Sequence, residues 1–193
     1  GSGSAGAGAA GVDSGSDSPA LVAYDAFVAE SVTPWASAAA ALTPDAAAAA
    51  GIAQTAFERL RGVIAAAARC GEPAGQKGLQ EVVAGIGAAC GAAQDLKSKA
   101  KRTPHEHHCA AVAEGLGALS WVVIKPAPAP FVKEQNDASE FYANKVRVAH
   151  KGEAMHIAYV DGFKALLTAL AAYVKQHHTT GLSWKAGAPA ATA

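Results

Sequence analysis

The sequence is short of charge, of aromatic residues and of long apolar runs. Of its 193 residues, 17% are charged and 6% are aromatic, and the formal net charge is zero. A neutral chain has no overall electrostatic attraction for nucleic acid or for an anionic membrane. Apolar runs such as 165–174 are shorter than the roughly 20 residues that span a bilayer. Neither a nucleic-acid-binding protein nor a transmembrane protein is indicated.

Cysteine is also scarce, and a targeting signal is not evident. The three cysteines, Cys70, Cys90 and Cys109, lie in apolar surroundings. An odd number of such cysteines indicates free thiols in a reducing compartment rather than a disulfide framework. Residues 1–18 have neither the basic region nor the apolar stretch of a secretory signal. We therefore expect a cytoplasmic protein.

The chain is rich in alanine and in signals for the start of a helix. Alanine dominates the 51% of residues that are hydrophobic, which favours a core of closely packed helices. A Ser or Thr before proline combines a capping hydroxyl with a residue suited to the first helical turn. The pattern begins at Ser18, Thr33, Thr43 and Thr103, and Glu106 completes a predicted capping box after Thr103.

Apolar residues repeat at three- and four-residue spacing, which predicts six helices. We place them at about 19–42 with a break near Pro34, and at 44–69, 74–100, 104–123, 133–150 and 153–177. Short connections make successive helices antiparallel. The predicted fold class is all-α, as a six-helix, mostly antiparallel up-and-down bundle.

Three segments of biased composition lie outside these helices. Alternating prolines at 125–130 predict an extended, polyproline-like crossover. Gly, Ser and Ala dominate residues 1–18, and Ala, Gly and Pro dominate residues 185–193, so we expect both to be disordered. The helical bundle domain is thereby predicted to occupy 19–184.

Histidine and cysteine near residue 105 raise the alternative of a zinc enzyme. His105, His108 and Cys109 would share one helical face, and their side chains suit zinc. No fourth ligand is evident, and the start of a helix disfavours a bound cation. The adjacent His177 and His178 point about 100° apart on a helix and cannot both chelate. Because no nucleophile motif or phosphate loop is present either, we expect no catalysis, no cofactor and no metal.

A basic run ends the third long helix. Its cations complement the helix dipole, and they could equally meet an acidic protein surface. The residues of this basic patch are Lys97, Lys99, Lys101 and Arg102.

Two segments resemble the N-terminal helical domain of the cyclase-associated protein family. They are LSWVVIKPAPAPFVKEQNDASEFYANKV at 119–146 and YVKQHHTTGLSW at 173–184. Looser resemblance covers about 20–184. The resemblance implies a six-helix bundle, in agreement with the independent helix count. It also implies a non-enzymatic module that works with cofilin to speed subunit loss at the pointed ends of actin filaments.

The resemblance also implies partners and binding residues. Expected partners are actin and cofilin, expected assembly is a homodimer or higher oligomer, and the expected location is the cytoplasmic actin cytoskeleton and cell cortex. The alternative is a scaffold or oligomerisation domain that binds adenylyl cyclase or another signalling partner without touching actin. The partner-binding residues implied are Pro130, Phe131, Lys133, Asn136, Asp137, Phe141, Lys145, His178, Thr179, Thr180, Leu182 and Trp184. We expect them to form one surface at one end of the bundle.

Overall fold

The computed structural model describes residues 18–193 and shows helices joined by short turns. The predicted disorder of residues 1–18 falls, except for Ser18, outside the described residues. The elements are α1 (Pro19–Phe27), a π turn (Val28–Val32), α2 (Thr33–Ala40), α3 (Pro44–Arg69), α4 (Gly75–Lys99), α5 (Glu106–Gly115), a 3-10 segment (Leu116–Val123), α6 (Pro128–Ala149) and α7 (Ala154–His177). Among these residues the only β pairing is an isolated bridge between Gly71 and Ala190.

These elements form six rods, because α1 continues through the π turn into α2, and α5 continues into the 3-10 segment. Each rod packs against the next one along the chain, and the first rod also packs against α7. The bundle is therefore closed, with α6 held between α5 and α7. The predicted all-α, six-helix bundle is confirmed.

The core is built from small residues on α3 and larger ones around them. Alanines such as Ala46 and Ala53 are fully buried on α3, which lets neighbouring helices approach closely. On α5, Gly115 serves the same purpose, because a Cβ there would collide with the ring of Phe163. The hydroxyl of the buried Tyr24 is paired, because it donates to the Phe57 carbonyl at 2.7 Å.

The break predicted near Pro34 is a π turn instead. Pro34 lies in the first turn of α2, where its lack of an N–H group matters little. The π turn sets the buried Phe27 and Val32 five positions apart, rather than the three or four of an α-helix. The start signal at Thr43 is confirmed, since its Oγ1 accepts from the Ala46 amide at 3.1 Å.

The capping box predicted at Thr103 is wrong. Arg102 adopts φ 67°, so the chain turns before the helix begins at Glu106. The Glu106 carboxylate accepts from the Arg102 amide at 2.5 Å, while the Thr103 hydroxyl donates to the Ala100 carbonyl at 2.6 Å. Both side chains thus stabilise the turn after α4 instead of capping α5 as a box.

The extended crossover predicted for 125–130 is shorter than expected. Helix α6 begins at Pro128, so Pro128 and Pro130 both lie in its first turn. Backbone N–H groups in a first turn have no intrahelical acceptor, and prolines there sacrifice no hydrogen bond. The composition that indicated an extended segment therefore also suits the start of a helix.

The tail expected to be disordered at 185–193 lies against the bundle. The Lys185 amide donates to the carbonyls of Ala67 and Cys70 at 3.0 and 2.9 Å. The Gly71 amide donates to the Pro189 carbonyl, and the Ala191 amide donates back to Gly71. Carbonyls at the end of α3 lack intrahelical partners, so they offer acceptors to this tail. The hydrogen bonds that hold the tail are all between backbone groups. The side-chain composition of the tail therefore gave no sign of them.

Helix α7 qualifies the membrane argument drawn from apolar runs. By length and composition it could cross a membrane, and half of its most apolar window is buried inside the bundle. Its buried side chains, which include Tyr159, Phe163 and Leu167, belong to the core. A core helix of this kind satisfies the same criteria as a membrane span.

Candidate interaction surface

Five of the α6 residues implied in partner binding form one exposed stripe. Pro130, Lys133, Asp137, Phe141 and Lys145 follow one another at three- or four-residue intervals, and all are exposed. Residues at this spacing lie on the same helical face. Phe141 is an exposed large hydrophobic side chain, with 61% of its surface accessible. The stripe is about 22 Å long, because each helical residue advances 1.5 Å.

The other two α6 candidates face the bundle. Phe131 is partly buried and packs against the core. Asn136 is 8% exposed, and its Nδ2 donates to the Lys164 carbonyl at 3.3 Å and to the Thr168 hydroxyl at 3.2 Å. Asn136 therefore joins α6 to α7 rather than facing solvent.

At the C-terminal half of α6 lies a cluster that we term the aromatic-lysine surface, formed by Lys97, Phe141, Tyr142 and Lys145. The two aromatic rings meet edge to face at 5.1 Å. The Lys145 ammonium lies 4.6 Å from the Phe141 ring centre, and the Lys97 ammonium lies 4.9 Å from that of Tyr142. Cation–π contacts of this kind hold an exposed aromatic ring in place.

The basic patch meets this surface at α4. Lys97 Nζ lies 2.7 Å from Glu114 Oε1, and that hydrogen bond raises the pKa of Lys97. Lys101 joins Lys97 and Tyr142 in lining a surface cavity of about 340 Å³. Lys99 and Arg102 are exposed. The basic patch and the C-terminal half of α6 thus form a continuous surface.

The second predicted segment forms what we term the C-terminal turn, residues 178–184. His178 follows the last residue of α7 and is 7% exposed. Its Nε2 lies 3.0 Å from the Tyr173 hydroxyl, and its ring packs 4.8 Å from that of Trp121. Burial lowers the pKa of His178 to about 4, and nearby His177 adds to the effect. His178 is neutral and internal at physiological pH.

The remaining side chains of the C-terminal turn divide between core and solvent. Leu182 is 2% exposed, and Trp184 packs partly buried against the core. Thr179 and Thr180 are exposed, and the Thr179 hydroxyl donates back to the Lys175 carbonyl at 2.8 Å. Within this turn, the two threonines, Ser183 and part of Trp184 are accessible to a partner.

Gly181 fixes the path of the C-terminal turn. Its φ of +123° is a conformation that L side chains rarely adopt, and a Cβ there would lie 2.7 Å from Lys125 Cγ and 3.2 Å from the Ile124 carbonyl oxygen. The turn therefore lies against the segment that leads into α6. A groove of about 570 Å³ follows it, lined mainly by residues 180–188 together with Gly71, Glu72 and Lys125.

The predicted single surface is in fact two regions. Helix α7 runs antiparallel to α6, so the C-terminal turn lies near Pro128, at the start of α6. The aromatic-lysine surface lies at the other half, with Lys145 about 26 Å along the axis from Pro128 at 1.5 Å per residue. Only the exposed stripe of α6 connects the two.

The histidines also meet differently from the zinc set considered above. Cys109 is buried, and its Sγ lies 4.0 Å from the Asp45 carbonyl oxygen. Burial raises the pKa of Cys109 to about 11. His108 Nε2 instead lies 2.8 Å from His156 Nδ1. The imidazoles of His150 and His156 stack with centres 3.8 Å apart. Burial, with His156 and His150 nearby, lowers the pKa of His108 to about 3.

Sequence reasoning missed this group because His150 and His156 are 42 and 48 positions from His108 in the chain. The available signal was their position on either side of the turn between α6 and α7. Once α5, α6 and α7 are known to be neighbours, one end of α5 meets that turn.

Comparisons with known proteins identify relatives of the chain. A family model described as "CAP, N-terminal domain" matches residues 24–182. Adenylyl cyclase-associated protein 1 of Bos taurus is 32% identical over 174 residues, which cover 90% of this chain and 37% of that protein. Adenylyl cyclase-associated protein 2 of Homo sapiens is 41% identical over 87 residues, covering 45% of this chain and 18% of that protein. The chain thus spans little more than a third of the bovine relative.

Solved structures agree with the observed bundle. The N-terminal domain of the adenylyl cyclase-associated protein from Dictyostelium discoideum superposes with a TM-score of 0.83 at 25% identity, covering 88% of this chain and 97% of that one. A crystal structure of the N-terminal domain of CAP, described as indicating variable oligomerisation, gives a TM-score of 0.85 at 25% identity, covering 90% of this chain and 94% of that one.

Proposed function

The chain belongs to the cyclase-associated protein family through its N-terminal domain, and we propose on this basis that it is a non-enzymatic regulator of actin turnover. The observation that carries the proposal for this chain is the aromatic-lysine surface. Phe141 is exposed there beside Lys145, and its ring meets that of Tyr142 edge to face. Exposed aromatic residues with adjacent cations are typical of protein contact sites.

We propose that this surface acts with cofilin at the pointed end of actin filaments. Actin presents acidic side chains that Lys145 and the basic patch would attract, while Phe141 would bury its ring on contact. The domain would bind the loosened terminal arrangement of subunits more tightly than the intact filament. Such differential affinity shifts the terminal subunit towards release, and a tenfold preference is worth about 1.4 kcal/mol.

The names of the relatives support a second set of partners. The relatives are called adenylyl cyclase-associated proteins, and this name suggests a partner for the scaffold alternative. In that case this domain would bind adenylyl cyclase, or a second copy of itself, without touching actin. A homodimer or higher oligomer would fit the variable oligomerisation described for one solved domain. For the actin-regulating function, we propose a cytoplasmic location at the actin cytoskeleton and cell cortex.

Imaging of cofilin-coated filaments tests the actin proposal. Purified protein should speed subunit loss from pointed ends, and the double variant Phe141→Ala, Lys145→Ala should lose most of that acceleration. Val22→Ala is a control, because Val22 is an exposed apolar side chain, 56% accessible, on a different helix, α1. If the wild-type protein does not speed subunit loss while its circular dichroism shows an intact helical fold, the actin proposal is wrong. The scaffold alternative is then favoured.

A further inference from the structure

Three helical elements bring imidazoles together at one end of the bundle. His108 belongs to α5, His150 follows the last residue of α6, and His156 lies in the first turn of α7. One ring nitrogen of each lies within 4.8 Å of the others. The closest pair is His108 Nε2 and His156 Nδ1, at 2.8 Å.

This histidine cluster is sheltered and incompletely hydrogen-bonded. His108 is 1% exposed, and the side chains of His150 and His156 are 16% and 14% exposed. His108 Nδ1 is buried and has no hydrogen-bond partner among residues 18–193. The other nitrogen, Nε2, is paired with the His156 imidazole. Buried polar atoms are nearly always paired, so the buried His108 ring has fewer hydrogen bonds than its position calls for.

A carboxylate completes the surroundings of the cluster. Glu153 Oε2 lies 3.2 Å from His150 Nδ1 and 3.5 Å from His156 Nε2. His156 thus directs one nitrogen towards His108 and the other towards a carboxylate. Histidines that bind metals commonly donate their second N–H to a carboxylate, which fixes the ring and its tautomer.

We propose that His108, His150 and His156 form a binding site for one divalent transition-metal ion, with zinc as the best match. Neutral imidazole suits zinc, and three histidines leave a fourth position for water. Zinc–nitrogen bonds of 2.0–2.1 Å place two tetrahedral ligands about 3.3 Å apart. Ligand nitrogens that now lie within 4.8 Å of one another would therefore adjust to that spacing by rotation of the rings.

The turn between α6 and α7 allows that adjustment. His150 and Glu153 lie on either side of Gly152, which adopts φ +84° with open space around its Cα. A bound ion would tie α5 to this turn, so it would bind the native state and not the unfolded chain. Metal binding should then raise the melting temperature in proportion to the logarithm of free metal concentration.

The test measures metal binding by the whole chain after treatment with a chelator. Calorimetric titration with Zn²⁺ should give one ion per chain, and Co²⁺ should give the visible absorption of a tetrahedral complex. The variant His150→Phe keeps a ring that can stack on His156 but removes a ligand. Loss of an outer-shell partner alone lowers metal affinity by about 10- to 100-fold, so loss of this ligand should lower Zn²⁺ affinity by at least as much. It should also abolish the Zn²⁺-dependent rise in melting temperature.

A control separates this cluster from other histidines. His107→Gln alters a neighbouring histidine on α5, which pairs with Glu106, and should leave affinity and stoichiometry unchanged. His150→Ala tests the same ligand if the Phe variant does not give a helical spectrum. The proposal is overturned if the wild-type protein binds no Zn²⁺, or if binding survives both His150 substitutions.

Discussion

The aromatic-lysine surface and the C-terminal turn belong to the two segments that most resemble the family, yet their side chains do opposite things. At the aromatic-lysine surface, Phe141 is 61% exposed and Lys145 lies over its ring. In the C-terminal turn, His178 and Leu182 are 7% and 2% exposed and pack into the bundle. A specific sequence pattern thus marks positions that matter, but it does not distinguish partner contact from packing.

The largest expected effect is on the packing side of this comparison. Leu182→Ala removes a buried side chain and should lower the free energy of unfolding by roughly 2–5 kcal/mol. Urea denaturation, monitored by circular dichroism, measures this change in the free energy of unfolding. Thr180→Ala, at an exposed position of the same turn, should change stability by less than about 0.5 kcal/mol. A stable Leu182→Ala protein would mean that the C-terminal turn is not part of the core.

Acid should weaken the C-terminal turn through His178. The pKa of His178 is lowered to about 4 in the folded protein from 6.5, so between these pH values the unfolded chain binds a proton that the folded one does not. The free energy of unfolding should fall as pH drops from 6.5 to 4 and then level off. At 1.36 kcal/mol per pKa unit, this contribution is about 3 kcal/mol at most.

The contribution of His178 can be isolated by comparing pH profiles. Other histidines with a lowered pKa, such as His108 and His156, also make the free energy of unfolding fall at acid pH. They do so equally in the wild type and in the His178 variant. The stability of His178→Phe should therefore vary less steeply with pH than that of the wild type, measured by urea denaturation at several pH values. Parallel profiles would show that His178 is not neutral and buried.

A smaller effect is expected at Gly181, which shapes the same turn. Gly181→Ala forces a side chain into a φ of +123° beside the Ile124 carbonyl, and such strain costs about 1–3 kcal/mol. Thermal unfolding measures the loss. Gly62→Ala is the control, because a Cβ there meets nothing within 4 Å and a helical alanine stabilises by up to about 1 kcal/mol.

The smallest effect on stability should come from a substitution at the aromatic-lysine surface. Phe141→Ala removes a ring that is mostly in water, so the free energy of unfolding should change by no more than about 0.5 kcal/mol. Filament disassembly should nevertheless fall, if the surface binds actin. The comparison between the regions fails if Phe141→Ala destabilises the protein as strongly as Leu182→Ala does.

Local signals explain why most of the fold could be predicted. The helix predicted at 44–69 has those bounds because Thr43 and Pro44 act within a few residues of each other. The α7 stripe that includes Phe163 and Leu167 could be read from three- and four-residue spacing alone. Caps and periodicity are properties of neighbouring residues, so the sequence displays them directly.

The errors came from contacts that neighbours do not determine. The start of α5 depends on Arg102 adopting a left-handed conformation, and the order of the tail depends on the end of α3. The histidine cluster requires three rods to meet. Whether Trp184 or Phe141 faces solvent likewise depends on what lies opposite, and no single stretch contains that information.

The π turn at Val28–Val32 has a consequence for how the chain length of this family can vary. Trp35 is eight positions after Phe27. In a regular α-helix, residues at this spacing point about 80° apart around the axis. The wider turn absorbs much of that rotation, so both remain buried, and the Trp35 indole donates to the Tyr159 carbonyl at 2.9 Å. Such a turn holds one residue more than a regular α-helical turn. A relative one residue shorter here could keep both aromatic contacts with a straight helix.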